Sequence, residues 1–421
     1  MNSLHLIKTK ISQIPKDFFN WGALAFLFLI SMIFHKFAAL YIGIAAISLF
    51  LLCKKSITKD FYSLFLTVPL QLFLSLWVWA GITLFWTTNF ENGADTWYKI
   101  LLIGFFGTVL FSTLKNLEKE QLKKIVYFCI FALCGIIGFY IFIKIRGIVI
   151  EKPLAYFFAL MFFPTFCFLW QTKKLYNYVF MGIYFLFALY VMKNSDAKSA
   201  FIGFVLGGGV FLLTLYKSDL TSKLLKYGSF LFILLSPLFS YFLLANPQRL
   251  LVYMKDSLTS LYHRLLIWNF VSLKIVEKPL LGWGLGASKN FPGGNDFAFK
   301  DLPLSEGQYL KIFYQYFGGN PFAINNLPLH PHNNPLQVFL ELGIPGGILY
   351  SLFILSIFKL FRLTFHNKVT LASANAMAIL TLVICNMSHS AWHIWILSWI
   401  VLSFGLLFVV HRLNVLSSPK V

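Results

Sequence analysis

The amino-acid sequence predicts an all-α, polytopic integral membrane protein with about twelve transmembrane helices and one large loop that itself contains helices. The first reason is composition: 58% of the 421 residues are hydrophobic and only 12% are charged, whereas soluble domains carry roughly a quarter charged residues. The second reason is that apolar runs long enough to cross about 30 Å of hydrocarbon recur along the chain. The lipid bilayer is therefore the expected solvent of this protein.

The predicted spans follow one another along most of the chain. They begin near Trp21, Phe37, Leu64, Trp97, Ile125, Leu154, Tyr178, Ala200, Gly228, Pro335, Val369 and Trp392. The first span follows three lysines, but no small-residue cleavage site comes after it, so we interpret it as an anchor and not as a cleavable signal. We expect one functional unit in three parts: spans one to nine in residues 1–244, a loop in residues 245–334, and spans ten to twelve in residues 335–421.

The basic residues indicate how the chain crosses the membrane. If the N-terminus is cytoplasmic, the loops on that side and the two termini contain 20 of the 35 lysines and arginines, as the positive-inside rule requires. Both termini are then cytoplasmic, and the loop of residues 245–334 lies outside, which in a bacterium with an inner membrane is the periplasm. A net charge of +20 would also suit nucleic acid, but such a partner needs the charge clustered on one folded surface, so none is predicted.

The long loop is predicted to be ordered because it contains many aromatic residues: Tyr253, Tyr262, Trp268, Trp283, Tyr309, Tyr314 and Tyr316. A helix is expected from Asp256 or Ser257 to Lys278, where Pro279 ends it. Its apolar face at helical spacing consists of Leu261, Leu265, Trp268 and Ile275. Gly282, Gly284 and Gly286 follow, and they indicate a tight turn rather than a nucleotide loop, because no strand precedes them and no Lys-Ser/Thr pair follows.

The end of this loop carries the strongest chemical signal. Asn334 and Pro335 are predicted to be the N-cap and the first residue of the tenth span, which places His332 at a helix N-terminus. Such a terminus is partially positive, so it disfavours an imidazolium and favours bound anions. A neutral imidazole beside an anion site suits a general base. The alternative is a structural histidine that hydrogen-bonds the loop.

Other residues near this point are candidates for supporting roles. His330 is a second base or a structural residue, and no metal site is predicted because no third ligand is evident nearby. Glu341 lies inside the span, where a carboxylate is costly; we expect it to orient a base, to pair with an arginine, or to face the wet loop interface. Gly343, Gly346 and Gly347 share roughly one helix face and permit close helix approach.

Basic residues that the inside-positive rule does not explain provide candidates for anion binding. Those in short outer loops are Lys144, Arg146, Lys152, Lys193 and Lys198. Arg264, in the long loop, is the best candidate for anion binding, because a guanidinium binds phosphate oxygens in pairs. Isolated basic residues at helix ends also extend to lipid headgroups, which is the interpretation we favour for Lys144 and Lys193.

The pattern His332-Asn333-x9-Gly343-x-x-Gly346, preceded by Arg264-x3-Trp268 and by Pro279-Leu-Leu-Gly-Trp-Gly-Leu-Gly, resembles the superfamily of O-antigen ligases and O-antigen polymerases. The resemblance implies a glycosyltransferase that moves a glycan from undecaprenyl diphosphate to a sugar of the lipid A core on the periplasmic face. It also implies inversion of the anomeric centre without a metal or a cofactor.

The same resemblance implies roles for individual residues. His332 takes the proton from the acceptor hydroxyl, and Arg264 binds the diphosphate. The basic residue that ligases place at the outer start of a later span falls at Lys198, where the usual Ser-Arg is absent. Lysine keeps the charge but loses the fork of donors, so Arg146 is an alternative for the second diphosphate contact.

Three alternatives compete with a ligase: a polymerase, a protein-glycosylating relative of the same superfamily, and a membrane transporter or flippase. Polymerases of the superfamily often carry Arg-x10-Gly motifs, but no glycine stands eleven residues after Arg146, Arg249 or Arg264, which favours the ligase branch. A membrane transporter or flippase also suits twelve spans. A transporter of this size should show weak internal repeats and ionisable residues near the midplane, and the sequence shows neither.

Overall fold

The computed structural model describes residues 37–53, 57–146, 152–195, 197–243, 259–296 and 325–417. These residues form thirteen α-helices. They are α1 (Ala38–Leu52), α2 (Thr58–Phe65), α3 (Val68–Ile82), α4 (Phe90–Asn116), α5 (Lys119–Ile145), α6 (Lys152–Thr172), α7 (Leu175–Asn194), α8 (Lys198–Tyr216), α9 (Ser218–Leu243), α10 (Thr259–Glu277), α11 (Asn334–Thr364), α12 (Lys368–Met387) and α13 (Ile394–Ser417). A short 3-10 helix, Thr83–Trp86, extends α3.

The described helices confirm the prediction of an all-α, polytopic membrane protein. Ten of them are long and apolar enough to cross a membrane: α3 to α9 and α11 to α13. They correspond to the third to twelfth predicted spans, and α1, a shorter apolar helix, lies where the second was predicted. The first predicted span, which begins near Trp21, lies outside the described residues.

The helix α6 lies at the centre of the bundle. In its apolar stretch, 78% of the residues are buried. The helix packs against α7, α12 and α13. The glycines of α8 let that helix approach α12 closely, because a Cβ at Gly207 would lie 2.9 Å from the carbonyl oxygen of Ala376. Small residues at a helix interface have this effect in membranes, where close packing replaces the hydrophobic driving force.

The tenth predicted span is not one straight helix. Gly343 interrupts α11 with φ 65° and ψ −165°, a conformation essentially restricted to glycine. The first half, residues 334–342, is buried throughout. Its Phe339 ring lies 2.2 Å from where a Cβ on Gly347 would be, and the Cβ of Leu342 lies equally close to that of Gly346. The three atoms nearest to an added Cβ at either glycine belong to α11 itself, so the close approach at these positions joins its two halves.

The loop that follows α10 satisfies the backbone groups freed by this break. Three carbonyl groups before Gly343 accept hydrogen bonds of 2.8 Å: Leu340 from the Trp283 amide, Glu341 from the Gly284 amide and Leu342 from the Trp79 indole. After the break, the amide of Ile344 donates to the carbonyl of Pro279 at 2.9 Å. The turn of residues 279–286 is thus a structural counterpart of the broken helix, since buried backbone groups need partners.

Glycine is required on both sides of this contact. Gly282 has φ 69°, and a Cβ there would lie 2.6 Å from the carbonyl oxygen of Glu341. A Cβ at Gly343 would lie 2.3 Å from the carbonyl oxygen of Leu280. The tight turn predicted from these glycines is present, and its function is to fill the break in α11.

Candidate active site

His332 lies immediately before α11, and its backbone is strained. Asn333, not Asn334 as predicted, is the N-cap: its side chain accepts a hydrogen bond of 3.1 Å from the amide of Leu336. Asn334 is instead the first, buried residue of the helix, and Pro335 the second. His332 has φ 52°, a left-handed conformation that costs an ordinary residue about 1–2 kcal/mol. Backbone strain of this kind is concentrated at functional positions in proteins.

A backbone carbonyl fixes the orientation of the His332 ring. Its Nδ1 lies 3.2 Å from the carbonyl oxygen of Ser388, at the end of α12. Because a carbonyl only accepts, a neutral imidazole in this position carries its proton on Nδ1 and presents an unprotonated Nε2. This is the tautomer that a general base acting through Nε2 requires.

Burial and a nearby cation keep this imidazole neutral. Burial and, after it, the charge of Arg264 lower the pKa of His332 to about 4, although the hydrogen bond to Ser388 opposes both effects. His332 and Arg264 therefore share one site. The indole of Trp268, one turn after Arg264 on α10, donates a 2.9 Å hydrogen bond to the carbonyl of Pro331 and fastens the histidine loop to that helix.

Two further histidines lie beside this pair. The ring centroids of His330 and His332 are 4.2 Å apart. Burial, followed by the charges of His332 and His393, lowers the pKa of His330 to about 3. On α10, Nε2 of His263 lies 3.4 Å from the carbonyl of Asn325. Within the described part of the chain, no group of three or more His, Cys, Asp or Glu residues is arranged to hold a metal ion.

A group of residues on the other side of His332 was not predicted from the sequence. The carbonyl of Ser388 accepts the hydrogen bond from His332. The hydroxyl of Ser388 lies 2.5 Å from that of Ser199, at the start of α8. The hydroxyl of Tyr156, in the first turns of α6, lies 3.2 Å from that of Ser199. One signal was available: Ser388-His-Ser-Ala-Trp-His393 interrupts two apolar runs with polar residues.

Within the described residues, the hydrogen bonds of Glu341 involve neither a histidine nor an arginine, and its side chain does not face a wet interface. It is 0% exposed, and its carboxylate accepts hydrogen bonds from four N–H groups. The donors are Trp392 Nε1 at 2.7 Å, the Gly286 amide at 2.9 Å, Gln337 Nε2 at 3.0 Å and the Ser288 amide at 3.4 Å. The carboxylate thus joins the turn after α10 to the segment before α13.

The remaining predicted residues differ in their relation to this site. Lys198 is exposed at the first position of α8, next to Ser199. Arg146 is exposed at the end of α5, where its guanidinium lies 5.5 Å from the centre of the Phe142 ring. The structure therefore brings His332, His330 and Arg264 together and places Lys198 beside their neighbour Ser199, whereas no described contact links Arg146 to them.

The fold and this site define a multi-pass α-helical membrane protein with a histidine and arginine site at one end of its bundle. Residues 183–351 of the chain match the family model described as O-antigen ligase, so this part of the chain is similar to that family.

Three relatives from Rickettsia bear the name "Putative polysaccharide ligase". The protein from Rickettsia conorii is 28% identical over 355 residues, which are 81% of this chain and 80% of that protein. Those from Rickettsia bellii and Rickettsia prowazekii are each 32% identical; they match 55% and 53% of this chain, and the match covers 51% of each relative. No solved structure matches the chain significantly.

Proposed function

We propose that this protein is a polysaccharide ligase that transfers a glycan from undecaprenyl diphosphate to a sugar hydroxyl of the lipid A core. The observation that carries the proposal is the pair formed by His332 and Arg264: an imidazole held neutral with Nε2 unprotonated, beside a guanidinium that can bind phosphate oxygens. The family match and the names of the relatives support the same class of reaction.

The proposed reaction needs one proton transfer and one displacement. The acceptor hydroxyl gives its proton to Nε2 of His332 while its oxygen forms a bond to the anomeric carbon of the donor. The bond from that carbon to the diphosphate oxygen breaks, and the diphosphate leaves with the electron pair. Arg264 stabilises the departing negative charge. Attack opposite to the leaving group inverts the anomeric centre, and neither a metal nor a cofactor takes part.

The surroundings of the site support a donor carried by a lipid. A groove with a volume of about 610 Å³ lies between α6, α7 and α8. Its lining is aromatic and aliphatic, with Phe162, Phe185 and Phe204 among the residues and Lys193 as the charged one. The groove extends along α8 from Phe201, two residues after Ser199, so it reaches the end of the bundle that holds the site. A lipid diphosphate suits this arrangement, because its apolar chain fits the groove and its phosphates fit the cationic site at the end of the groove.

In this proposal the site faces the periplasm and both termini face the cytoplasm of a bacterial inner membrane. The distribution of basic residues supports this orientation. Lys198, at the start of α8, is proposed as the second cation for the diphosphate, and Arg146 as a weaker candidate because of its position at the end of α5. Residues 245–334 are proposed as the periplasmic part of one functional unit.

Complementation of a ligase-deficient bacterium tests the proposal. The wild-type chain should attach polysaccharide to lipid A core, and His332→Ala should abolish this product while the protein still reaches the membrane. His366→Ala is the matched control, because His366 is exposed and precedes α12 at the end of that helix opposite to Ser388. A lengthened glycan that stays on undecaprenyl diphosphate would identify a polymerase instead and would refute the ligase.

A further inference from the structure

The segment that joins α12 to α13, residues 388–393, lies against the back of His332 and belongs to no helix. We propose that Ser199 and Gln337 are positioning residues: they hold this segment from two sides, so that the Ser388 carbonyl keeps His332 in the tautomer and orientation of a base. This inference rests on the proposed function and extends it to residues of α8 and α11 that touch neither substrate.

A chain of hydroxyl groups holds the first residue of the segment. The Ser388 hydroxyl lies 2.5 Å from that of Ser199, which lies 3.2 Å from the hydroxyl of Tyr156. Ser199 and Tyr156 are only 3% and 4% exposed, so these bonds form where water does not compete for them. Two helices, α6 and α8, thus fix the position of a residue at the end of a third, α12.

The first half of α11 holds the middle of the segment from the opposite side. The side-chain oxygen of Gln337 accepts a hydrogen bond of 3.0 Å from the amide of Ala391, and the indole of Trp392 donates to Glu341 at 2.7 Å. Gln337 also donates to Glu341 at 3.0 Å. Since His332 directly precedes this half-helix, the same element that begins at the base also holds the segment that orients the base.

Hydrogen bonds between aromatic rings hold the last residues of the segment. The indole of Trp395 donates to Nε2 of His393 at 2.8 Å, so a neutral His393 carries its proton on Nδ1. That Nδ1 then donates to Nδ1 of His389, 3.0 Å away. His389 in turn packs edge to face on Tyr156 at 4.7 Å, which returns the chain of contacts to the hydroxyl group that binds Ser199.

This support has a physical purpose at Ser388. The residue is the C-cap of α12, with φ −141° and ψ −29°, so its carbonyl direction is not set by a continuing helix. His332 is itself in a left-handed conformation and needs its surroundings to hold it. A misplacement of a catalytic group by about 1 Å can lower a rate by roughly a hundredfold. A fixed carbonyl at Ser388 prevents such a misplacement of the His332 ring.

Nitrogen-15 spectra of histidine-labelled protein in lipid nanodiscs test the positioning directly. The His332 signals are assigned by difference from His332→Asn. In the wild type they should show one tautomer, protonated on Nδ1, whereas Ser199→Ala should show a mixture of tautomers. The kcat for ligation in that variant should fall about ten- to a hundredfold with little change in the acceptor KM.

A double-mutant cycle gives the second readout. Ser199→Ala and Ser388→Ala remove the two partners of one bond, so the double variant should lose no more kcat than either single variant. Ser195→Ala is the matched control, because Ser195 is 5% exposed and its side-chain hydrogen bond among the described residues lies within its own turn, to the Met192 carbonyl. The His332 tautomer and the kcat of this variant should equal those of the wild type.

An unchanged tautomer and unchanged kcat in Ser199→Ala would overturn the inference, as would additive losses in the cycle. The spectra do not depend on which glycan is transferred. If the wild-type protein failed to ligate lipid A core but Ser199→Ala still disturbed the His332 tautomer, the positioning would stand and the proposed function would fail.

Discussion

His332 and Arg264 form a pair in which the arginine sets the charge state of the histidine. The guanidinium lowers the pKa of the imidazole, so the base stays neutral while a cation is available for the diphosphate. The position of His332 was predictable, because a helix start signal follows it. The Ser388 carbonyl that selects its tautomer was not, since it comes from a residue 56 positions away and no local pattern encodes such a contact.

Replacing Arg264 should change both the rate and its pH dependence. In Arg264→Gln, the loss of a charge that stabilises the leaving group should lower kcat for ligation by about 10² to 10³. The pKa of His332 should rise, because Arg264 is one of the causes of its lowering. The acidic limb of kcat/KM, which reports the free base, should therefore move to higher pH in ligation assays with purified lipid-linked donor.

Arg264→Lys is the control for this prediction. It keeps the positive charge, so the acidic limb should stay near that of the wild type, whereas the loss of the paired donors should still lower the rate. If the limb of Arg264→Gln coincided with that of the wild type, the electrostatic link between the two residues would be wrong.

Glu341 should contribute to stability through its acceptor capacity. In Glu341→Gln, one acceptor oxygen becomes an amide group that faces N–H donors such as those of Gly286 and Trp392. A buried group left without its partner costs about 1–3 kcal/mol, so the unfolding temperature in detergent should fall. The exposed Glu277→Gln, which breaks only the ion pair with Lys274, should change it little. Equal temperatures for both variants would contradict this account.

At the level of elements, the helices were predictable and the break in one of them was not. Long apolar runs identify spans because the bilayer tolerates little else. The break at Gly343 depends on a partner, the turn of residues 279–286, which lies about 60 residues earlier in the chain. The glycines on both sides of this contact were recognised in the sequence, those of residues 282–286 as a tight turn and those of α11 as a site of close helix approach. Their contact with each other was not predicted, because the pattern does not say which backbone groups need partners.

Gly343→Ala should therefore disrupt the junction of loop and helix. Its backbone conformation costs other residues about 1–3 kcal/mol, and the added Cβ would lie 2.3 Å from the Leu280 carbonyl oxygen. We expect a lower yield of monodisperse protein after extraction and a lower unfolding temperature. Gly209→Ala in α8 is the control, because a Cβ there has no atom within 4 Å among the described residues. A Gly343→Ala variant as stable as this control would show that the break is not required.

At the level of the whole molecule, one end of the bundle collects polar groups from α6, α8, α10, α11, α12 and α13 around His332. Composition and charge predict how many helices there are and which way they run, since both follow from the properties of the bilayer. Composition does not predict which helix ends meet. The meeting of Tyr156, Ser199 and Ser388 is therefore information that only the packed structure contains, although each residue lies near a predicted span boundary.

This concentration of partly buried histidines should make the folded state sensitive to acid. The pKa values of His330 and His332 fall to about 3 and about 4 from an ordinary 6.5, so between about pH 4 and pH 6.5 the unfolded chain binds more protons than the folded one. Stability then rises with pH in this window and is fully present above about pH 6.5, each histidine contributing about 1.4 kcal/mol per pH unit. Carboxylates act mainly at lower pH, so unfolding temperatures are compared between pH 5 and pH 6.5. The slope of unfolding temperature against pH should become shallower in His330→Asn. It should stay the same in His366→Asn, because His366 is exposed. Equal slopes in both variants would show that the histidines of this site do not govern the acid response.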